Sequence, residues 1–345
     1  MLRINPHQNA FWRDLNSLQI GAGSKRVVFD GLSPAQERLI AALYRGIADK
    51  QLPGLLADLG VKSDDGFPMV DSLRPLMLTN TAPLREPLSQ DLVAAAFAEI
   101  IRASLSHSSD GEPVLLERKF RTVHVDDLGA AGLAVALGLA SAGVGRLVSH
   151  DHSLVSQRDL GPNAYPSQLL GKSKTAALRA MLASSPNQLD VIDGAHLKTL
   201  DSIDLAVIIG QQAIQPNRYS QWLNRDVPHL ALVFEVEFAS LSPLVIPGLG
   251  PCLFCLEQAR TAEDQSWPVV ASQLITNGDR LDDVAGRLFC AGLAIKKILG
   301  HLDHVGGFSP TENELTGYRL DSTSGRILEW NWQPHSTCSC RLTSG

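Results

Sequence analysis

The sequence predicts an α/β protein with a mostly parallel sheet of the nucleotide-binding, Rossmann-like kind, preceded by a small α+β module. Three observations carry this. The stretch 122–151, TVHVDDLGAAGLAVALGLASAGVGRLVSHD, reads as strand, glycine-bearing turn, Ala/Leu-rich helix, second turn and second strand, a βαβ unit of about 30 residues. Strands then alternate with helices through 189–192, 205–209 and 229–234, which implies a sheet covered on both faces. Before residue 80, two strands are instead followed by helices, the order of a winged-helix module.

In that module, 17–31 (SLQIGAGSKRVVFDG) alternates around a Gly-Ala-Gly-Ser turn, as a hairpin would. Ser33 offers an N-cap with Pro34 at the first helical position, so a helix is expected over 35–44. Further helices are expected over 48–59, closed by Gly60, and over 69–76. The functional reading of the module is peptide recognition, in which an extended peptide adds a strand to the edge 26–30 and meets Val27, Val28 and Phe29. The other reading is a structural extension of the main body. Val70, Leu73 and Leu76 would then be groove wall or plain core.

A boundary near residue 80 makes 1–80 the recognition module. Residues 81–118 then form a connection with a helix over 89–105 packed on the next domain and a polar loop over 106–113, and 119–345 form the α/β body. Within the body, Gly171-Lys172-Ser173-Lys174 opens a helix, 267–302 is helical, and 315–332 alternates as a hairpin turning at Thr323-Ser324-Gly325.

Composition excludes several classes. With 44% hydrophobic and 19% charged residues over 345 positions, the chain reads as globular and soluble. A net charge of −6 argues against non-specific nucleic-acid binding. No apolar run reaches the roughly 18 residues of a membrane span, and 1–15 lacks the pattern of a signal peptide, so a cytoplasmic location away from membranes is expected. Four of the five cysteines form two close pairs, Cys252/Cys255 and Cys338/Cys340. Two such clips supply the four thiolates of a structural zinc, which would staple the tail to the body. Two unrelated surface pairs are the alternative, and His335 is a possible substitute ligand.

The glycine turn is altered. Gly129 and Gly132 hold the second and third places of G-x-G-x-x-G, but Asp127, preceded by Asp126, stands in the first. Carboxylates there oppose an anion over the helix N-terminus. His150 and His152 flank Asp151 and suggest metal or acid–base chemistry, without a second ligand cluster to accompany them.

The order VHVDDLGAAGLAVALGLASAGVGRLVSHD, DLGPNAY, GKSKTAAL, GPCLFC and a C-terminal cysteine pair resembles the ThiF-like, ubiquitin-activating-enzyme-like superfamily over about 118–345. More narrowly, GPCLFCLEQARTAEDQSWPVVASQL, with Arg260, Asp264, Trp267 and Pro268, and WNWQPHSTCSC resemble the leader-peptide-binding partners of YcaO cyclodehydratases, which serve azole- and azoline-modified peptide (bacteriocin, TOMM) biosynthesis. The resemblance implies a winged-helix leader-recognition element at the N-terminus, a homodimer, and a nucleotide site. In that site Gly129 and Gly132 cradle phosphate, Asp151 holds ribose, and Lys174, beside Lys172, contacts phosphate. Departures accompany it: Pro162 stands at the expected arginine, Gly210-Gln211-Gln212 where an acid would help place a metal ion, and no cysteine at the thioester position. The site therefore reads as degenerate and its binding of ATP as doubtful, because adenylyl transfer depends on such charges. Gly129, Gly132, Asp151 and Lys174 also have ordinary structural readings as packing glycines, a turn cap and a solvated charge.

The leading expectation is a non-catalytic scaffold that binds the leader of a ribosomal precursor peptide and presents it to a YcaO-type cyclodehydratase. The alternative is an ATP-dependent adenylating enzyme acting on a peptide or sulfur-carrier C-terminus. A third, from the βαβ unit alone, is a dinucleotide-dependent oxidoreductase.

Overall fold

The computed structural model of the protein describes residues 1–79, 86–196, 203–277, 279–303, 315–338 and 340. The chain divides into two compact units, Met1–Leu116 and Glu117–Gly345.

The first unit opens with a three-stranded antiparallel sheet, β1 (Ala10–Trp12), β2 (Ser17–Ile20) and β3 (Val27–Asp30), in that spatial order. The β2–β3 hairpin is the one read from sequence; β1 is three exposed residues with no alternation to betray it. α1 (Pro34–Arg45) starts at a capping box, in which Ser33 Oγ accepts the Gln36 N–H and Gln36 Oε1 accepts the Ser33 N–H. α2 (Leu52–Leu59) and α3 (Ser63–Leu73) follow. α3 begins six residues before the expected start, its first turns disguised by Gly66 and Pro68. A Cβ at Gly66 would collide with Leu56, so this glycine sets how closely α2 and α3 approach. Val70, Leu73 and Leu76 are buried in the core with Ile20, Leu39 and Leu43.

The helix expected over 89–105 is two, α4 (Gln90–Ala95) and α5 (Phe97–His107), separated where Ala96 leaves helical geometry. α6 (Gly111–Arg118) starts within the expected polar loop, with Gly111 pressed on the carbonyl of Ile100. This stretch belongs to the first unit up to Leu116: Asn5 Nδ2 donates to Ser104 O at 3.1 Å and the Thr79 N–H to Ser108 O at 2.6 Å.

The second unit is built on an eight-stranded sheet of order β11-β10-β9-β8-β7-β4-β5-β6. β4 (Thr122–Val125), β5 (Arg146–Ser149), β6 (Asp190–Asp193), β7 (Leu205–Gln211) and β8 (His229–Phe234) are parallel; β9 (Phe238–Leu241), β10 (Gly317–Asp321) and β11 (Ile327–Trp330) continue the sheet antiparallel. The tail hairpin forms as expected, and it joins the main sheet through β9, a strand too short to stand out in the sequence. α7 (Ala130–Ser141), α8 (Lys174–Leu182) and α12 (Val284–Leu302) bury Leu133, Leu139, Leu178 and Ile298 on one face. α9 (Pro216–Leu223) and α10 (Leu253–Glu263) cover the other with Trp222 and Leu253, and α11 (Trp267–Asn277) follows α10. Arg118 and Asp303 form a buried bidentate pair at 2.7 Å for both bonds, and Arg118 also donates to Ala142 O.

β4 lies between β5 and β7, so the chain leaves it for opposite sides of the sheet. Doubly wound sheets bind ligands in the crevice beyond the carboxyl ends of such strands. The altered glycine turn sits there.

Candidate nucleotide crevice and cysteine cluster

The two aspartates after β4 have different tasks. Asp126 turns toward β7: its Oδ1 accepts the Ile209 N–H at 2.9 Å, and its Oδ2 takes Arg218 Nε and Nη2 at 2.9 and 2.6 Å. Arg218, from the first turn of α9, also donates to Ile209 O, so the pair ties strand to helix and does not face a ligand. Burial pushes the Asp126 carboxyl up to about 6 even beside that guanidinium. Asp127 takes the Gly129 N–H at 2.6 Å, and Asp151 Oδ2 takes the Leu128 N–H at 2.9 Å. Two loop donors that would meet an anion thus already hold carboxylates.

The glycines separate as well. A Cβ at Gly132 would collide with the backbone oxygen of Asp127, so this position is fixed by close packing of α7 on the turn. The atoms nearest a Cβ at Gly129 would be those of the Arg280 guanidinium, which lies over the glycine where a phosphate would otherwise approach. Arg280 pairs with Asp282 at 3.1 Å and stands 3.8 Å from Asp127. Asp282 in turn accepts Gln211 Nε2 at 3.2 Å, and Gln211 Oε1 accepts the Leu281 N–H at 2.8 Å. The segment before α12 therefore brings an arginine and an acid to the end of β7. These are the two residue types that the sequence lacks at Pro162 and at Gly210-Gln211-Gln212.

Lys174 is the first residue of α8 and is buried, contrary to a solvated surface charge. Its Nζ lies 3.6 Å from both Asp151 Oδ2 and Asp159 Oδ1. Burial opposes ionisation of Asp151, but hydrogen bonds from Ser153 and Leu128 and the charge of Lys174 hold its carboxyl below the usual range. Asp159 is lowered in the same way by Ser156, Lys174 and Arg280 against the cost of burial. Tyr165, buried beneath them, donates to Leu128 O at 2.9 Å. The structure thus brings Gly129, Asp151 and Lys174 to one crevice, with Gly132 behind them. Asp159, the first residue of the DLGPNAY motif, joins them, as do Arg280 and Asp282 from the segment before α12; nothing in linear spacing marked the last two.

The histidines are not ligands to a common ion. His124 Nε2 meets His150 Nδ1 at 3.0 Å, and His152 lies 3.7 Å from Asp193. Among the described residues the one group with metal-ligand geometry is Cys252, Cys255, Cys338 and Cys340. All four are buried, with sulfurs mutually within 4.8 Å. Sγ separations are 3.8 Å for Cys252–Cys255, 3.6 Å for Cys252–Cys338 and 3.4 Å for Cys255–Cys340. Four sulfurs at 2.3 Å from a tetrahedral ion would be about 3.8 Å apart, so the set could hold a metal ion such as zinc. His335 turns its ring to Thr337 instead.

The Arg-Asp-Trp-Pro segment has a local explanation. Arg260 pairs with Glu235 at 2.6 Å, lies 3.7 Å from Glu257, and sits over the Trp267 ring at 4.9 Å. Trp267 donates to Glu257 at 2.7 Å and Asp264 accepts the Ser266 N–H, so the motif fastens α10 and α11 to the end of β8. In the first unit Val27 and Phe29 pack on the module core, and β3 has β2 as its one strand partner among the described residues.

No protein-family model matches the chain, and no curated protein matches it significantly by sequence. Solved structures do. E. coli MccB with ATP superposes at a TM-score of 0.68 and 15% identity over 98% of this chain and 98% of that one. The microcin C7 biosynthetic enzyme MccB in complex with N-formylated MccA gives 0.68 and 15%, over 98% and 99%. PaaA gives 0.65 and 16%, over 95% and 99%. No helix among the described residues is long and apolar enough to cross a membrane. Nearly the whole chain has the fold of MccB.

Proposed function

We propose that the protein activates a peptide with ATP, in the manner of an adenylating enzyme. A peptide carboxylate oxygen would bond to the α-phosphorus of ATP while the bond to pyrophosphate breaks, leaving an acyl adenylate. The observation that carries this reading is the arrival of Arg280 and Asp282 beside Gly129, Asp151 and Lys174. Judged by linear position the site lacks its arginine and its acid; Arg280 and Asp282, at the end of β7, would supply both. The fold it shares with MccB, solved with ATP and with MccA, supports the same reading. Asp151 would take the ribose hydroxyls, and Lys174 and Arg280 the phosphates. Asp127 and Asp282, released from Arg280, would take a divalent cation. Placing charge in advance of the reaction is how such sites lower the barrier. The four cysteines would hold a structural zinc, since a closed four-sulfur site leaves no position for substrate. The edge Val27, Val28 and Phe29 would receive the peptide. The family resemblance implies a homodimer, in the cytoplasmic setting expected from the sequence.

A second reading is the scaffold that presents a precursor peptide to a YcaO-type cyclodehydratase. It is favoured by the Leu128 and Gly129 N–H groups, already occupied by Asp151 and Asp127. Pyrophosphate exchange into ATP by the full chain, with a precursor peptide encoded beside its gene, separates the two. Peptide-dependent exchange abolished by Lys174→Ala supports activation. Peptide binding without exchange sinks it and leaves the scaffold.

A further inference from the structure

Beside the free edge of β3 lies a groove of about 370 Å³ whose lining includes Phe29, Asp30, Asp64, Asp65, Pro68 and Met69. Its floor is apolar: Met69 is buried and Phe29 half-buried against the module core. Among the described residues no strand pairs with the outer side of β3, whose N–H and C=O groups could take an added strand. The rim is acidic. Asp30, Asp64 and Asp65 are exposed, and among the described residues none of them has an ion pair. Asp30 accepts only a hydrogen bond from Ser17 Oγ at 2.6 Å, and Asp64 and Asp65 stand in the first turn of α3. The other end of β3 follows Lys25 and Arg26, both exposed. An extended ligand advances roughly 3.3 Å per residue, so its side chains at the two ends of β3 meet fields of opposite sign. Alternation sends Val27 and Phe29 to the core and Asp30 to the opposite face, where it neighbours the side chain of a residue paired with it across the new ladder.

We propose that this groove selects a basic side chain: the peptide added to β3 carries Lys or Arg at the end of β3 where Asp30, Asp64 and Asp65 line the groove. The inference rests on the peptide-binding reading of β3. The test is selection of a displayed library of random 16-residue peptides on the full-length protein, followed by affinities of enriched peptides for wild type, Asp30→Asn and the double variant D64N/D65N. Enriched peptides should share Lys or Arg at one position. Exchanging that residue for Met, or the two α3 aspartates for Asn, should weaken binding roughly 5- to 20-fold at low salt and less at high salt. Enriched peptides without a shared basic position, or with affinities indifferent to the three aspartates, would overturn basic-residue selection while leaving peptide capture intact. Failure to enrich any peptide would overturn both.

Discussion

The cysteine cluster and the strand-end crevice both bury groups that ionise, and they offset that charge by opposite routes. The cluster gathers four thiols of one kind, which can all be thiolates in a buried site only around a cation supplied from outside. The crevice offsets most of its charge from within, three cations against five carboxylates: Lys174 stands between Asp151 and Asp159, Arg280 beside Asp127 and Asp282, and Arg218 on Asp126. A site that lacks its counter-charge depends on its ligand for stability. A site that carries its own must break internal pairs to accept one, so its ligand is felt in function more than in folding.

The largest effect should therefore come from the cluster. Cys255→Ser, or stripping metal with a chelator, is expected to remove one metal ion per chain and several kcal/mol of stability, toward the ~10 kcal/mol that zinc contributes to small folded peptides. Metal analysis paired with thermal melting checks it, and an unchanged melting transition in the serine variant would break the contrast at its strong end.

The glycines sharpen the other side. Gly132→Ala drives a Cβ into the backbone oxygen of Asp127 and should cost about 3 kcal/mol or more, because neither strand nor helix can give way. Gly129→Ala meets first the end of the flexible Arg280 side chain, which is 40% exposed, and should cost about 1 kcal/mol or less. Denaturant titration of the two variants ranks them. Equal costs would mean that Gly129 is also a packing glycine and has no part in receiving a ligand.

The sequence made the first region legible and concealed much of the second. Two cysteine pairs each lie within a turn, so spacing alone disclosed the cluster, as alternation disclosed the β2–β3 hairpin and the terminal one. Asp151 and Lys174 were visible because they follow β5 and open α8. Arg280 and Asp282 come from a loop more than 120 residues beyond α7 and reach the crevice only because α12 folds back beside α7. Judged by linear position, Pro162 and Gly210 signal decay; in space an arginine and an acid from that loop lie at the end of β7. Asp126 was misleading for the same reason, since its partner Arg218 lies across the sheet end.

Acid probes the buried charges together. Burial pushes His124 down to about 3 and His229 to about 4, whereas an unfolded imidazole titrates near 6.5. The unfolded chain therefore takes up those protons first. Stability is full above pH 6.5 and falls below it until the folded values are reached, by about 2 kcal/mol for each histidine at pH 5. Asp126, raised to about 6, works in the other direction, because the folded state takes its proton first between pH 6 and the unfolded carboxyl value. It returns about 1 kcal/mol, leaving a net loss of about 3 kcal/mol at pH 5. Urea titrations at pH 7 and 5 measure this, and a midpoint that rises on acidification would contradict the burial of both imidazoles.

The central claim is that the crevice, completed by Arg280 and Asp282, is a nucleotide site. Calorimetric titration of the full chain with Mg-ATP, for wild type and Arg280→Ala, tests it most directly. We expect saturable binding to wild type, weakened about tenfold or more when the guanidinium is removed, as the loss of a charge-assisted contact to phosphate implies. No binding by wild type would contradict a nucleotide site in the crevice, and binding as tight or tighter in the variant would contradict the part given to Arg280.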